Sequence, residues 1–465
     1  MFKHKHYVCL SLLFLISSVI FAADKIDSPP LPDPLTLEHA LSLIDRSHPD
    51  IALAMAQRSL AEADFVAEDS STDLYAGIEA AARIIEPSRL AFDQSNQDHE
   101  ISFIVRKRLY DYGRNDSLLQ AAEYEVKGQR WRVIEAQNQW RILIMKRFFD
   151  VLLADLAFAR DNEDMAVAYV QYDREKDRNE LGQRSDLEVL DAQSKFMETR
   201  KRRYQSAAMQ RITRSRLVIS LDLPDQSPSN LVAPDLKNQN RPLPEIDALI
   251  TKARNDNLKL RAMQDQLDAA GKRIEAVRAQ SGVKIDAEFE VSAYKRDVAS
   301  NDEWQASINF DIPVYTGNRD KSKVDQNIAE YQKLKSLMAK EEMRVREATI
   351  ELRFQLEALM AEKEELQVFN EFKELSLDRN RALYEMEVKA DLGLAMVDTT
   401  SARYRITKTN YQIELAWARL DAFTGSYLLE SLESLESLES LESLESLESE
   451  DEKKTAKLIA MGARF

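Results

Sequence analysis

Two stretches of this sequence, about 207 residues apart, repeat each other in the same order, which constrains the fold more than any single motif does. Residues 35–41 (Leu-Thr-Leu-Glu-His-Ala-Leu) resemble residues 243–249 (Leu-Pro-Glu-Ile-Asp-Ala-Leu). Ile51, Leu53 and Leu60 then correspond to Leu258, Leu260 and Leu267, and Gly113-Arg-Asn-Asp116 to Gly317-Asn-Arg-Asp320. Further on, Leu190, Asp191, Met197 and Tyr204 match Val397, Asp398, Tyr404 and Tyr411. Four matches in one order predict a tandem duplication. Repeat 1 covers residues 35–223 and repeat 2 covers 244–425, with a proline-rich linker over 224–243.

Each repeat is expected to run helix, β-hairpin, then a long helical hairpin. The hairpins are placed at about 74–110 and 283–314, because apolar and polar residues alternate there. Val283, Ile285, Ala287, Phe289 and Val291 alternate with Lys284, Asp286, Glu288 and Glu290; Trp304, Ala306, Ile308 and Phe310 alternate with Gln305, Ser307, Asn309 and Asp311. Such strands suit either a soluble sandwich or an outer-membrane barrel. Four strands per chain are too few to close a barrel, for which about eight is the minimum. A membrane reading therefore requires several chains to pool their strands.

The long helical hairpins are expected over about 114–220 and 318–423. Only 10 Gly and 12 Pro occur in 465 residues, so little interrupts helices of roughly 65–70 residues, or about 100 Å. Leu190, Met197, Tyr204 and Val218 fall on one seven-residue row, interrupted by Arg211, and Val397, Tyr404, Tyr411 and Ala418 on another. A seven-residue apolar period predicts coiled-coil seams along both rows. An ordinary antiparallel hairpin of a structural protein would show the same period.

Residues 1–22 read as a secretory signal peptide: Lys3 and Lys5 precede an uncharged apolar run over 8–22, with Ala22 and Ala23 at its end. A membrane anchor is the alternative reading of this run. Residues 23–34 form a polar, extended N-terminal segment. Cys9 is the only cysteine and lies in the leader, leaving a mature chain with His39, His48 and His99. No disulfide framework or His/Cys metal cluster can be assembled from these, and no nucleophile motif appears, so no cofactor, metal site or catalytic residue is expected. The net charge of −16 and the absence of Gly-rich phosphate loops argue against nucleic acid and nucleotides as partners. Residues 426–465 form a low-complexity tail, in which Leu-Glu-Ser recurs seven times over 429–449.

Over about residues 35–425 the sequence resembles the outer-membrane efflux (TolC-like) family. The resemblance rests on the opening Leu35-Thr-Leu-Glu-His-Ala-Leu41 with His48-Pro-Asp-Ile51, and on Leu109-Tyr-Asp-Tyr-Gly-Arg114 with its second copy Pro313-Val-Tyr-Thr-Gly-Asn318. It rests also on the helix-turn-helix sequence of residues 181–193 and its partner over 388–400. The resemblance implies a mainly α fold with a β-barrel portion. A homotrimer would place four strands per chain in one outer-membrane barrel, continued by a long α-helical barrel in the periplasm. Its function would be that of a passive, non-enzymatic exit duct in a tripartite efflux pump or type I secretion system. A periplasmic adaptor, an inner-membrane transporter and outer-membrane lipid would be its partners. A periplasmic coiled-coil structural or adaptor protein is the alternative.

The resemblance also assigns residues. Glu188, Asp191, Asp398 and Asp391 would lie at the periplasmic gate, where rings of carboxylates favour cations; the alternative for such acids is a solvated helix face. Leu181 and Gly182 would form the tip that docks the adaptor. Asp286, Glu288, Glu290, Asn309 and Asp311 would face the barrel lumen. The second tip departs from the family pattern at Lys389, Asp391 and Ala395, which implies a different pattern of salt bridges there.

Overall fold

In a computed structural model of the chain, the described residues are 31–43, 48–226, 228–296, 302–388 and 391–426. The signal segment, Lys389 and the Leu-Glu-Ser tail lie outside them. Among the described residues the helices are α1 (Leu37–Ser42), α2 (Pro49–Asp69), α3 (Arg114–Glu180), α4 (Asp186–Ser220), α5 (Ile246–Asp256), α6 (Leu258–Ala279), α7 (Arg319–Glu385) and α8 (Leu392–Phe423). The strands β1 (Tyr75–Ile84) and β2 (Gln97–Tyr110) precede α3, and β3 (Lys284–Tyr294) and β4 (Trp304–Asp311) precede α7.

The four strands form one antiparallel sheet in the order β1-β2-β3-β4. Strand β2 joins the two hairpins, with Phe103 opposite Val291 and Val105 opposite Phe289. Because side chains alternate across a strand, this register gathers the apolar residues on one face. Ile78, Phe103, Val291 and Trp304 make one row across the sheet, and Ala76, Val105, Phe289 and Ala306 the next. Ile78, Phe103, Phe289, Trp304 and Phe310 are all exposed. The edges β1 and β4 have no neighbouring strand among the described residues.

Helices α3 and α7 are each 67 residues long, hence about 100 Å. They lie in a layer ordered α4, α3, α8, α7, while α2, α5 and α6 pack along its middle. No helix among the described residues is long and apolar enough to cross a membrane. The largest core cluster gathers Trp140, Ile144, Phe148 and Phe149 of α3 with Leu217 of α4 and Tyr411 of α8. A second joins Leu356 of α7 to Ile413, Trp417 and Leu420 of α8.

The linker over 224–243 is tied into this core. Leu231 and Leu35 form a parallel bridge, and both pack in the first cluster. Buried Glu414 accepts from the Asn238 backbone N–H at 3.3 Å and the Asn238 side-chain amide at 2.7 Å. Arg241 grips Asp421 with two bonds of 2.7 and 2.9 Å, its guanidinium 4.1 Å from the centre of the Trp417 ring.

The seam within the first long hairpin differs from the sequence expectation. Leu190, Met197 and Tyr204 are exposed and only Val218 of that row is buried, while the buried face of α4 carries Thr199, Ser206 and Thr213, also seven residues apart. Each of these hydroxyls donates to a carbonyl of its own helix, three residues back, at 2.9 to 3.1 Å. Small side chains with self-satisfied hydroxyls can be buried at little cost, leaving the larger apolar row to face outward. In α8 the row ending in Tyr411 and Ala418 does turn into the core.

Candidate functional site

Two regions hold the candidate residues: the turns at the far ends of the long hairpins, and the polar face of the sheet. The first turn joins α3 to α4. Gly182 adopts φ +73°, and a Cβ there would meet nothing within 4 Å, so glycine is needed for conformation alone. The Gln183 N–H donates to Arg178 O at 2.8 Å and the Gly182 N–H to Asn179 O at 2.7 Å, closing a Schellman motif. This leaves Leu181 72% exposed at the extremity.

Ser185 then starts α4 with a capping box: its hydroxyl accepts from the Glu188 N–H, and the Glu188 carboxylate accepts from the Ser185 N–H at 2.9 Å. Arg184 bridges Glu188 at 2.6 Å and Glu175 at 2.8 Å. The Ser185 N–H, the Arg184 guanidinium and the Ser185 hydroxyl together hold the Glu188 carboxyl below the usual carboxylate range. Asp191 pairs with Lys195 one turn on, at 2.7 Å, and both are well exposed.

The second turn joins α7 to α8 and uses a different residue for the same geometry. Glu387 takes φ +58° where the first turn has glycine, and the Val388 N–H reaches Leu383 O at 2.9 Å. Asp391 caps α8 by accepting from the Leu394 N–H at 3.1 Å. Asp398, farther along α8, pairs with Lys373 of α7 at 2.6 Å. Gly393 and Ala395 lie on the inner side of α8: a Cβ at Gly393 would come within 3.0 Å of Val167 of α3, and Ala395 is buried. Among the described residues none of Glu188, Asp191, Asp391 and Asp398 bonds to another of the four; each has its own partner.

The polar face of the sheet is a ladder of ion pairs. Asp286 accepts from Arg108 at 2.8 Å and Glu288 from Arg106 at 2.6 Å, both across β2–β3. Glu100 pairs with Arg83 across β1–β2. Asp311 faces Lys284 at 3.6 Å, Glu290 accepts from the Ser292 hydroxyl at 2.7 Å, and the Asn309 amide reaches Ser307 at 3.4 Å. The acids were therefore legible, but their cations Arg83, Arg106 and Arg108 were not singled out. The signal was there, since Arg106 and Arg108 alternate with Val105, Lys107 and Leu109.

Residues 249–426 match the sequence profile of the outer membrane efflux protein family. Over these residues the second half of the chain is similar to an outer membrane efflux protein domain. No curated protein matches the sequence directly. The described structure is similar to that of the Campylobacter jejuni outer membrane channel CmeC, at a TM-score of 0.72 and 11% identity, over 84% of this chain and 85% of that one. Similarity to CusC, which forms a transmembrane channel, gives 0.69 and 15%, over 84% and 92%. Similarity to the Vibrio cholerae outer membrane protein VceC gives 0.66 and 12%, over 84% and 96%. The fold is thus that of the TolC-like outer membrane channels: a short antiparallel sheet continued by long helices.

Proposed function

We propose that this protein is an outer membrane efflux protein and works as a homotrimeric duct across the outer membrane, reaching into the periplasm and emptying a tripartite efflux pump or type I secretion system. The observation that carries this reading is a double incompleteness. Among the described residues the sheet has two edges without a neighbouring strand, and its apolar face exposes Ile78, Phe103, Trp304 and Phe310, which lipid would cover. The helical layer ends in α4 and α7, whose outer sides expose Leu190, Met197 and Tyr204, and Val368, Phe372 and Leu375. One rotation about a common axis closes both at once, β4 meeting the next β1 and α7 the next α4. A periplasmic structural protein would leave the aromatic sheet face in water without purpose.

The duct performs no bond chemistry; an inner-membrane transporter supplies the energy. The extended turn at Leu181 and Gly182 suits docking of a periplasmic adaptor's hairpins. The acids of the tips act first as latches, since Glu188 and Asp398 hold neighbouring segments together, and opening has to part those pairs. Detergent extraction with light scattering tests the assembly, and planar-bilayer recording tests conduction. Three chains per particle and an ohmic conductance are expected. A monomer recovered from the soluble periplasmic fraction would overturn the proposal.

A further inference from the structure

The proposed duct assigns no role to the sequence after Ser426, whose point of departure is closely fixed. Helix α8 ends at Phe423, whose carbonyl accepts from the Asn257 amide at 3.2 Å. Gly425 takes φ +66°, and a Cβ there would lie 2.6 Å from the carbonyl oxygen of Asp256. Lys252 donates to the Ser426 hydroxyl at 3.0 Å. The chain therefore leaves pressed against the junction of α5 and α6.

Beside that exit is a cavity of about 130 Å³ between α3, α6, α7 and α8. Ile142, Leu258 and Phe423 make its apolar part. Asn138 also lines it; this side chain is 3% exposed, and neither its amide nitrogen nor its oxygen has a hydrogen-bond partner. An amide buried in that state costs about 1–3 kcal/mol unless something enters to satisfy it. Arg419 is half-buried in the same wall and has no ion-pair partner among the described residues.

The acids nearby do not serve these two groups. Glu341 is taken by Lys259 and Arg344, both at 3.1 Å. Glu135 accepts from Gln139 at 3.0 Å, and burial pushes its carboxyl up, which weakens it as a counter-ion. An unpaired guanidinium, an unsatisfied amide and an apolar wall together select a carboxylate carried beside an aliphatic side chain.

Residues 429–449 offer that ligand seven times over, with seven glutamates, seven leucines and no basic residue. The first triplet begins three residues past Ser426, about 10 Å of extended chain. We propose that the Leu-Glu-Ser tail docks on its own protomer in this cavity, with one glutamate on Arg419 and Asn138 and the adjoining leucine against Leu258 and Phe423. Identical triplets are interchangeable ligands, so tethering keeps the local concentration of the tail in the millimolar range whichever triplet binds.

The test uses the full chain with a benzophenone photo-crosslinker at Ser431, a position that leaves every Leu and Glu in place. Adducts mapped by mass spectrometry should fall on residues 255–260, 338–346 or 419–423 of the same protomer. Changing all seven tail glutamates to glutamine, which leaves the folded body untouched, should cut the yield at least fivefold. Arg419→Gln should do the same at an unchanged melting temperature. Adducts to lipid, to a neighbouring protomer or to another surface would overturn the proposal. So would an undiminished yield from the glutamine tail.

Discussion

The ring of Phe149 lies flat on that of Tyr411, with centroids 4.3 Å apart and planes 3° from parallel. Phe149 belongs to α3 and Tyr411 to α8, so this stack fastens the first half of the chain to the second. Both rings are almost wholly buried, at 1% and 5% exposure. Phe149→Ala should therefore cost about 3–5 kcal/mol, because it removes a large apolar side chain and leaves a cavity. Tyr411→Phe keeps the ring and should change stability by less than about 1 kcal/mol. Thermal melting of the two variants side by side checks this; equal losses would show that the ring contact is not what matters.

The two turns solve one geometric problem with different residues, which gives opposite predictions for the same exchange. At Gly182 any side chain must adopt a left-handed backbone, at a cost of about 1–2 kcal/mol. At Glu387 that cost is already present, so Glu387→Gly should relieve part of it. Amide hydrogen exchange reads both: Gly182→Ala should speed exchange at Gln183, and Glu387→Gly should slow it at Val388.

How much of this was legible in the sequence follows from what each residue answers to. The strands were, since a period of two reports directly which face is wet, and Phe289 and Glu288 do lie on opposite faces. The turn at Glu387 was not, because a non-glycine in the left-handed region leaves no compositional trace. The α4 seam misled because Thr199, Ser206 and Thr213 look polar in sequence. They are buried only because their hydroxyls bond back to their own helix. The partners of Asp286 and Glu288 escaped notice because they are 178 and 182 residues away in the chain.

Those partners change what the sheet should do to ions. With Arg106 and Arg108 in place, Glu288 and Asp286 are neutralised pairwise, which offsets part of the negative charge of the polar face. Replacing both arginines with glutamine should uncover two carboxylates per chain and raise cation over anion permeability severalfold. Reversal potentials in a salt gradient measure it. An unchanged ratio would place these pairs away from the conduction path.

Glu188 sets a pH dependence at the first turn. Its folded carboxyl titrates lower than in the unfolded chain, chiefly because it accepts the Ser185 N–H and pairs with Arg184. A depressed carboxyl stabilises the fold at pH values above its unfolded pKa, and that contribution disappears as pH falls through the folded value. The window thus lies below the ordinary glutamate range. There the capping box and the Arg184 bridge should release together, and amide exchange at Glu188 and Val189, corrected for the intrinsic effect of pH, should accelerate. Glu188→Gln can still accept the Ser185 N–H through its carbonyl, but cannot titrate. It should loosen the turn modestly at neutral pH, through the lost Arg184 pair, and abolish the acid-dependent step. An acid step that persists in this variant would overturn the assignment to Glu188.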